Sequence, residues 1–391
     1  MMHLLQSEPS DTFGMWLLGL ALAGIAYTYA VYPLFLWAVS RFSRPLPACK
    51  STDFSITMII AAHNEEAAIR QKLEATLALN YPREKLQILV ASDGSTDQTN
   101  QIVEEFASRG VGLVKVKVCR GKTNAQNEAV RYARNPILVF SDATTLYDAD
   151  ALQYLAACYL DPRVGAASGR YDYYDPTSTS PAGSGSTKLW GLENLIKRMQ
   201  SRIATLTGCC GCIYSLRRDL YTDLDPEIIS DLVQPLHVLL KGHRIVFQEH
   251  AQAWEEATRT TGDEFRMRVR VATRGMRGLL SVHQLLLPWR YPWLAFQLWS
   301  HKVLRWSIPL FLAALLAGSA SLASRPSFRI LFAMQAAFYL CALASLLIPP
   351  MRRSRLFSLP LYFCTINTAF LIGMINTIRG RNFNVWQPTR G

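Results

Sequence analysis

Apolar residues run along this chain in two different ways. Four stretches, 12–40, 306–324, 330–351 and 356–378, contain no Asp, Glu, Lys or Arg at all. Each approaches or exceeds the ~20 residues with which a helix crosses a hydrocarbon core, so all four are expected to be membrane-spanning helices. Between the first and second the pattern changes. Short apolar runs at 56–61, 87–91, 112–118 and 137–140, rich in β-branched residues, alternate with longer polar-apolar stretches at 65–78, 97–108, 123–133 and 148–160. Unbroken apolar runs suit strands buried on both faces, and strand-helix repetition with short turns predicts an α/β fold with a doubly wound sheet. In such sheets ligands bind beyond the carboxyl ends of the strands, which fixes where chemistry is to be sought.

Composition sharpens this picture. Of the 391 residues 50% are hydrophobic and only 18% charged, which excludes a disordered polyelectrolyte and a purely soluble enzyme. The first apolar stretch lacks a basic leader and a small-x-small cleavage site, so it is expected to be a retained anchor. Arg41, Arg44 and Lys50 follow it while Glu8 and Asp11 precede it, which predicts a multi-pass protein of the cell (inner) membrane with the α/β unit cytoplasmic. The expected domains are residues 1–44 as anchor, 45–280 as the α/β unit, 281–302 as an interfacial segment and 303–391 as a membrane block with a basic tail. The eight cysteines include Cys209, Cys210 and Cys212, but no second ligand pair follows at zinc-site spacing, so free thiols are expected.

Three strand ends carry carboxylates: Ala62-His63-Asn64-Glu65-Glu66, Ser92-Asp93-Gly94-Ser95-Thr96-Asp97 and Ser141-Asp142-Ala143-Thr144-Thr145. Asn, Ser and Asp also form helix caps and turns, and Asp97 is read as one of these. Three such turns at one sheet edge nevertheless favour a site. Neither the dinucleotide fingerprint nor a P-loop follows the first strand. Gly121-Lys122 before a helix offers a cation and a helix N-terminus, and a divalent cation on Asp142 would reconcile carboxylates with a diphosphate.

These residues resemble the membrane-bound family-2 glycosyltransferases, the group of the cellulose, hyaluronan, chitin and poly-N-acetylglucosamine synthases. The resemblance spans residues 56–280 and implies a GT-A-type mixed sheet flanked by one N-terminal and about three C-terminal transmembrane helices. Glu65 and Asp93 match the turns that hold the nucleoside, and Lys122 with Asn127 matches the element near the donor diphosphate. Asp142 stands at the metal-binding D-x-D, implying Mg2+ or Mn2+. Ser230-Asp231, followed by Gly242-His243-Arg244, matches the catalytic base, so Asp231 is the implied base, with an N-cap as its alternative role. Gly208 and Trp254 match acceptor-side elements. Two departures stand out: Asp142-Ala143-Thr144 has one carboxylate where many members have two, and Q-x-x-R-W is absent, with Arg270 and Val271 in its place. Arg270 is therefore assigned to the diphosphate, and short products are expected.

The net charge of +12 is uneven: from Arg259 to Arg305 nine Lys or Arg stand against Asp263 and Glu264. Arg266, Arg270, Arg274 and Arg277 share a helical face, for which lipid headgroups and a sugar-nucleotide diphosphate are the expected counterions; no nucleic-acid module is discernible. The sequence thus predicts an inverting transferase moving a sugar from a nucleotide-sugar donor, a UDP-sugar, to a glycan or lipid-linked acceptor at the bilayer. Partner subunits of an export or polysaccharide assembly system would fit. A lipid-directed transferase of polyprenyl-phosphate or ceramide type, and a non-catalytic nucleotide-binding scaffold, are the alternatives.

Overall fold

The computed structural model describes residues 9–43, 45, 47–174, 181–256 and 261–381. It opens with helices α1 (Pro9–Ala26) and α2 (Tyr32–Ser40), joined through one π-helical turn at Tyr27–Val31. Residues 11–40 form one continuous apolar rod long enough to cross a bilayer.

The α/β unit follows. Its strands are β1 (Ile56–Ala62), β2 (Leu86–Asp93), β3 (Val111–Val116), β4 (Ile137–Asp142), β5 (Leu146–Tyr147), β6 (Val164–Tyr174), β7 (Tyr214–Arg217) and β8 (Arg244–Glu256). Its helices are α3 (Ile69–Leu77), α4 (Thr99–Glu105), α5 (Lys122–Val130), α6 (Ala151–Ala157), α7 (Pro181–Ile203), α8 (Ser230–Leu240) and α9 (Thr261–Ser281). The strands form one eight-stranded sheet in the order β3-β2-β1-β4-β7-β6-β8-β5. Strands β3, β2, β1 and β4 run parallel to one another, as the apolar runs predicted, whereas β7 is antiparallel to both β4 and β6. Every residue of β1 is buried, because helices cover both faces of the sheet.

Beyond the sheet come α10 (Pro292–Leu298), a π-helical turn at Trp299–Val303, α11 (Leu304–Trp306), α12 (Ile308–Ser321), α13 (Pro326–Leu347) and α14 (Arg355–Ile378). Among the described residues three helical rods are long and apolar enough to span a membrane: residues 11–40, α13 and α14. The expected span at 306–324 is different. With 14 residues, α12 is about 21 Å long and too short alone; it qualifies only jointly with Pro292–Trp306, across a bend of 56°. Thus the interfacial segment expected at 281–302 continues into a broken span. Helix α12 lies antiparallel against α1, where a Cβ on Gly14 would meet Ser321 Oγ at 2.5 Å and one on Gly318 would meet the Gly14 carbonyl at 3.1 Å. These glycines let two backbones approach without a side chain between them. Arg325 and Asp11 pair at the far end of this couple, 2.7 Å apart.

The basic helix α9 runs alongside α14. Arg268 donates to Tyr362 Oη at 2.8 Å near one end, and Gly373 abuts Ala272 further along. Its arginines do not simply face headgroups. Arg274 donates to the Pro226, Glu227 and Ile228 carbonyls, and Arg277 pairs with Glu227 at 3.0 Å, so this stripe braces the segment entering α8. Most of the expected basic tail, residues 382–391, lies outside the described residues.

Candidate active site

The carboxyl ends of β1, β2 and β4 meet at one rim, and the loops leaving them are sewn together by short-range polar chemistry. Asn64, with φ of 53°, turns its backbone so that its side-chain oxygen accepts from Thr96 N–H at 2.8 Å, while the Asn64 N–H donates to Ser95 Oγ at 3.1 Å. The Glu65 N–H donates to Thr99 Oγ1 at 2.8 Å. Asp97 accepts from Thr99 and Glu66 N–H groups, each at 3.0 Å, the cap-and-turn role expected for it.

Asp93 is fully buried, and its carboxylate accepts from the amides of Arg120 (3.2 Å) and Gly121 (2.6 Å) and from the Cys119 thiol. It shapes the turn that starts α5, where Gly121 has φ of 97°, a conformation a side chain would strain. Asn127 is likewise spent on structure: its amide nitrogen donates to the Leu224 carbonyl at 2.7 Å and its oxygen accepts from Tyr221 Oη at 2.7 Å. Both donor-side candidates therefore hold loops around the rim.

At the centre, Lys122 pairs with Asp142 and donates to the Gly211 carbonyl at 3.0 Å. Burial works against the Lys122 charge, but the Asp142 and Asp231 carboxylates outweigh it and hold its pKa above the ordinary lysine range. The sequence left Asp142 without a second carboxylate; the fold supplies one. Glu255, at the end of β8, accepts from Thr144 Oγ1 at 2.6 Å and from Tyr171 Oη at 2.5 Å. The Cys212 thiol bridges the two acids, 3.6 Å from Asp142 and 3.7 Å from Glu255. Contact with Cys210, burial and these carboxylates push the Cys212 pKa well up, so it is a protonated donor. All eight cysteines are free thiols, as expected, yet Cys212 belongs to the site. Strand alternation turns Trp254 to the opposite face from Glu255, so the neighbour of the matched tryptophan is the residue brought to the rim.

Beneath Asp142 lies Lys72, 1% exposed, which donates to Ser141 Oγ at 2.8 Å and to the Thr145 carbonyl at 2.5 Å. Burial pulls its ammonium down to about 7, against the attraction of Asp142 and Glu255. No sequence signal marked it, since it sits mid-helix in α3.

Asp231 opens α8 but is no N-cap: Ile229 occupies that place, and the Oδ1 atom of Asp231 has no hydrogen-bond partner. Its backbone carbonyl accepts from Cys209 N–H at 2.9 Å, and its carboxylate packs on Gly211, leaving no room there for a Cβ. Gly208 packs against Leu232 next to it, placing the matched acceptor loop beside the carboxylate. Burial raises the Asp231 pKa, with Lys122 opposing and Asp142 reinforcing the shift. Arg270, on α9, is half-buried and feels the Asp142 charge; among the described residues it forms no hydrogen bond or ion pair. An unpaired guanidinium and a raised carboxylate facing the Lys122–Asp142 pair can bind an anion and accept a proton side by side.

Among the described residues no group of three or more His, Cys, Asp or Glu side chains could hold a metal ion. Asp142 and Glu255 converge on one thiol, which fits a cation carried on one or two carboxylates and completed by substrate phosphates.

Residues 57–225 match the family described as Glycosyl transferase family 2. The chain is 29% identical over 232 residues to the poly-beta-1,6-N-acetyl-D-glucosamine synthase of Staphylococcus aureus, covering 58% of this chain and 55% of that one. The Staphylococcus epidermidis enzyme of the same name is 28% identical over the same length. The match thus spans about half the length of these relatives. A mannosyltransferase from Pyrobaculum calidifontis, solved with GDP-Man and Mn2+, superposes with a TM-score of 0.71 at 21% identity, covering 95% of this chain and 99% of that one. The shared architecture is the GT-A-type mixed sheet with helical flanks.

Proposed function

We propose that this chain, which carries a family 2 glycosyltransferase domain, is an inverting enzyme that moves a sugar from a nucleotide-sugar donor to an acceptor hydroxyl in polysaccharide or glycoconjugate synthesis. The observation that carries the proposal is Asp231, a buried carboxylate with an unpartnered oxygen and a raised pKa, set beside the Lys122–Asp142 pair. Such a group accepts a proton more readily than an ordinary aspartate and is positioned at the rim where a nucleotide would lie.

In this reading Asp231 deprotonates the acceptor hydroxyl as its oxygen attacks the anomeric carbon, while Lys122 and Arg270 stabilise the departing diphosphate. Asp142, supported by Glu255, would hold Mg2+ or Mn2+, which supplies further charge neutralisation to the leaving group. Glu65 and Asp93 shape the nucleoside end, and Gly208 with the Cys209–Cys212 turn borders the acceptor. Asn127 acts by fixing the 221–224 segment. Relationship to poly-N-acetylglucosamine synthases supports a UDP-N-acetylhexosamine donor, and the apolar rods support action at a membrane; Arg41, Arg44 and Lys50 after the first rod favour its cytoplasmic face for the catalytic unit. The test is a donor panel: purified protein in detergent, incubated with individual UDP- and GDP-sugars and Mg2+ or Mn2+, with products read by mass spectrometry. Transfer from one UDP-sugar, lost on chelation, is expected; no turnover of any donor would refute the reading.

A further inference from the structure

Helices α9, α13 and α14 border a cavity of about 640 Å³, a size within the range of ligand-binding pockets, that the transfer step does not use. Tyr339, Ala342, Leu343 and Leu346 line it from α13, and Leu361, Cys364, Thr365 and Thr368 from α14. In both helices the spacing is i, i+3, i+4, i+7, one face over two turns, so the cavity is a slot running about 10 Å along the helix axes. Gly262 and Phe265, at the start of α9, form its third side. Thr365 donates its hydroxyl to the Leu361 carbonyl of its own helix at 2.8 Å, which leaves a wall of mainly apolar character. The slot therefore suits a hydrocarbon chain.

Arg352 marks one end of it. This residue belongs to the Pro349–Arg353 turn between α13 and α14, and a basic turn joining two rods apolar enough to span a bilayer lies at the membrane surface. Its guanidinium donates to the Ser345 and Leu346 carbonyls, each at 2.9 Å, and so caps the last turn of α13. Among the described residues no carboxylate pairs with it, and three of its five N–H groups have no acceptor. Arg355, exposed, adds a second cation to the same turn. Leu347 and Leu356, 69% and 68% exposed on either side of the turn, give the surroundings an apolar surface that faces hydrocarbon. A cation at the membrane surface with an apolar slot leading inward from it has the polarity and the direction of a lipid with an anionic headgroup.

We propose that this slot seats one acyl chain of an anionic phospholipid from the surrounding bilayer, with the lipid phosphate on Arg352. The occupant is not the acceptor. Leu232, next to the base, meets α9 at Gly275, ten residues and about 15 Å along that helix from Phe265, so a lipid held here is not placed to react. Its effect is on α9 itself. Phe265 stands five residues, about 7.5 Å, before Arg270, and Arg268 between them already donates to Tyr362 Oη of α14 at 2.8 Å. A chain in the slot extends that contact by one turn and braces the helix carrying Arg270 against both membrane rods. Moving an acyl chain from bilayer to slot exchanges one apolar surrounding for another, so the headgroup decides which lipid binds.

The test titrates the full-length protein in detergent with phosphatidylglycerol or phosphatidylcholine of identical chains, one chain carrying a photoreactive diazirine, and maps the labelled peptides by mass spectrometry. Label is expected to concentrate on residues 339–346, 361–368 and Phe265. Phosphatidylglycerol should half-saturate it at about fivefold lower concentration than phosphatidylcholine, the scale of one basic side chain at an anionic headgroup. Arg352→Gln should make the two lipids equal, and Arg352→Lys should restore the preference. Leu343→Trp, which fills the slot, should remove the label from 361–368 for both lipids. The wild-type titrations decide even where a variant does not fold. Label spread evenly over outward residues such as Leu347, Leu356 and Ile378 would mean a general lipid coat only and would overturn the site. Equal half-saturation by the two lipids overturns the headgroup contact with Arg352. Displacement of the label by a substoichiometric polyprenyl phosphate overturns the phospholipid assignment and gives the slot to a lipid-linked substrate.

Discussion

Replacing Glu255 with Gln tests whether the fold supplies the second carboxylate that the Asp142-Ala143-Thr144 turn lacks. In the wild type this carboxylate accepts from Thr144 at 2.6 Å and Tyr171 at 2.5 Å, with the Cys212 thiol 3.7 Å away. Hydrogen bonds to a charged acceptor contribute about 1.5–3 kcal/mol each. Glutamine keeps one acceptor oxygen, and its NH2 group must be met by a hydroxyl turned round to accept. One charge-assisted bond is lost outright and the other weakened; since Glu255 is only half-buried, the net cost to stability should be about 1–3 kcal/mol. Removing a negative charge beside Asp142 should also lower affinity for a nucleoside diphosphate with Mn2+ by about tenfold, or roughly 1.4 kcal/mol. Thermal unfolding in detergent reads the first quantity and titration calorimetry with UDP and Mn2+ the second. If both stay at wild-type values, Glu255 does not support the Asp142 site.

Lys72→Met should loosen the 141–147 turn, because an apolar chain cannot bond Ser141 Oγ or the Thr145 carbonyl; weaker Mn2+-dependent UDP binding with unchanged metal-free binding would show it, and unchanged binding in both would contradict it. Because burial raises the Asp231 pKa, the carboxyl is protonated and inactive at low pH, and kcat/KM should climb with pH through a value above the ~3.9 of a free aspartate. Lys122 opposes that shift, so Lys122→Met measured at saturating donor should move this acid limb to higher pH, and movement to lower pH would contradict the assignment. Products should be short and narrowly distributed, since Val271 offers no ring for a growing chain to stack on, a contact worth about 1–3 kcal/mol. Long polymer beside unused acceptor would show otherwise and direct attention to Trp306, packed beside Leu232.

The parallel half of the sheet and the loops on its rim were legible because buried parallel strands read as unbroken apolar runs, and each run ended in turn residues at the right edge. Strands β6, β7 and β8 were not anticipated as a group: their pairing with β4 and with one another is long-range, and no local periodicity announces it. The same reason hid Glu255, which meets Thr144 across 111 residues of chain, and Lys72, which meets Ser141 across 69. Asp231 was recognisable through its dipeptide and the glycine turn after it, yet its freedom from capping required the neighbouring backbone to be seen. Asp93 and Asn127 show the converse. They lie at the end of β2 and within α5, where the sequence pattern put them, but their side chains are consumed by the 119–121 and 221–224 segments. The broken span before α12 escaped notice because hydropathy records apolarity and length, while the bend depends on backbone direction.

The central claim is that Asp231 is the proton acceptor, and Asp231→Asn tests it directly. The amide preserves shape on Gly211 but cannot take the acceptor proton, so kcat for sugar transfer should fall by about two to four orders of magnitude while the affinity for UDP with Mn2+ stays within about threefold of wild type. A variant that binds the nucleotide normally and retains more than about a tenth of wild-type turnover would show that another group removes the proton.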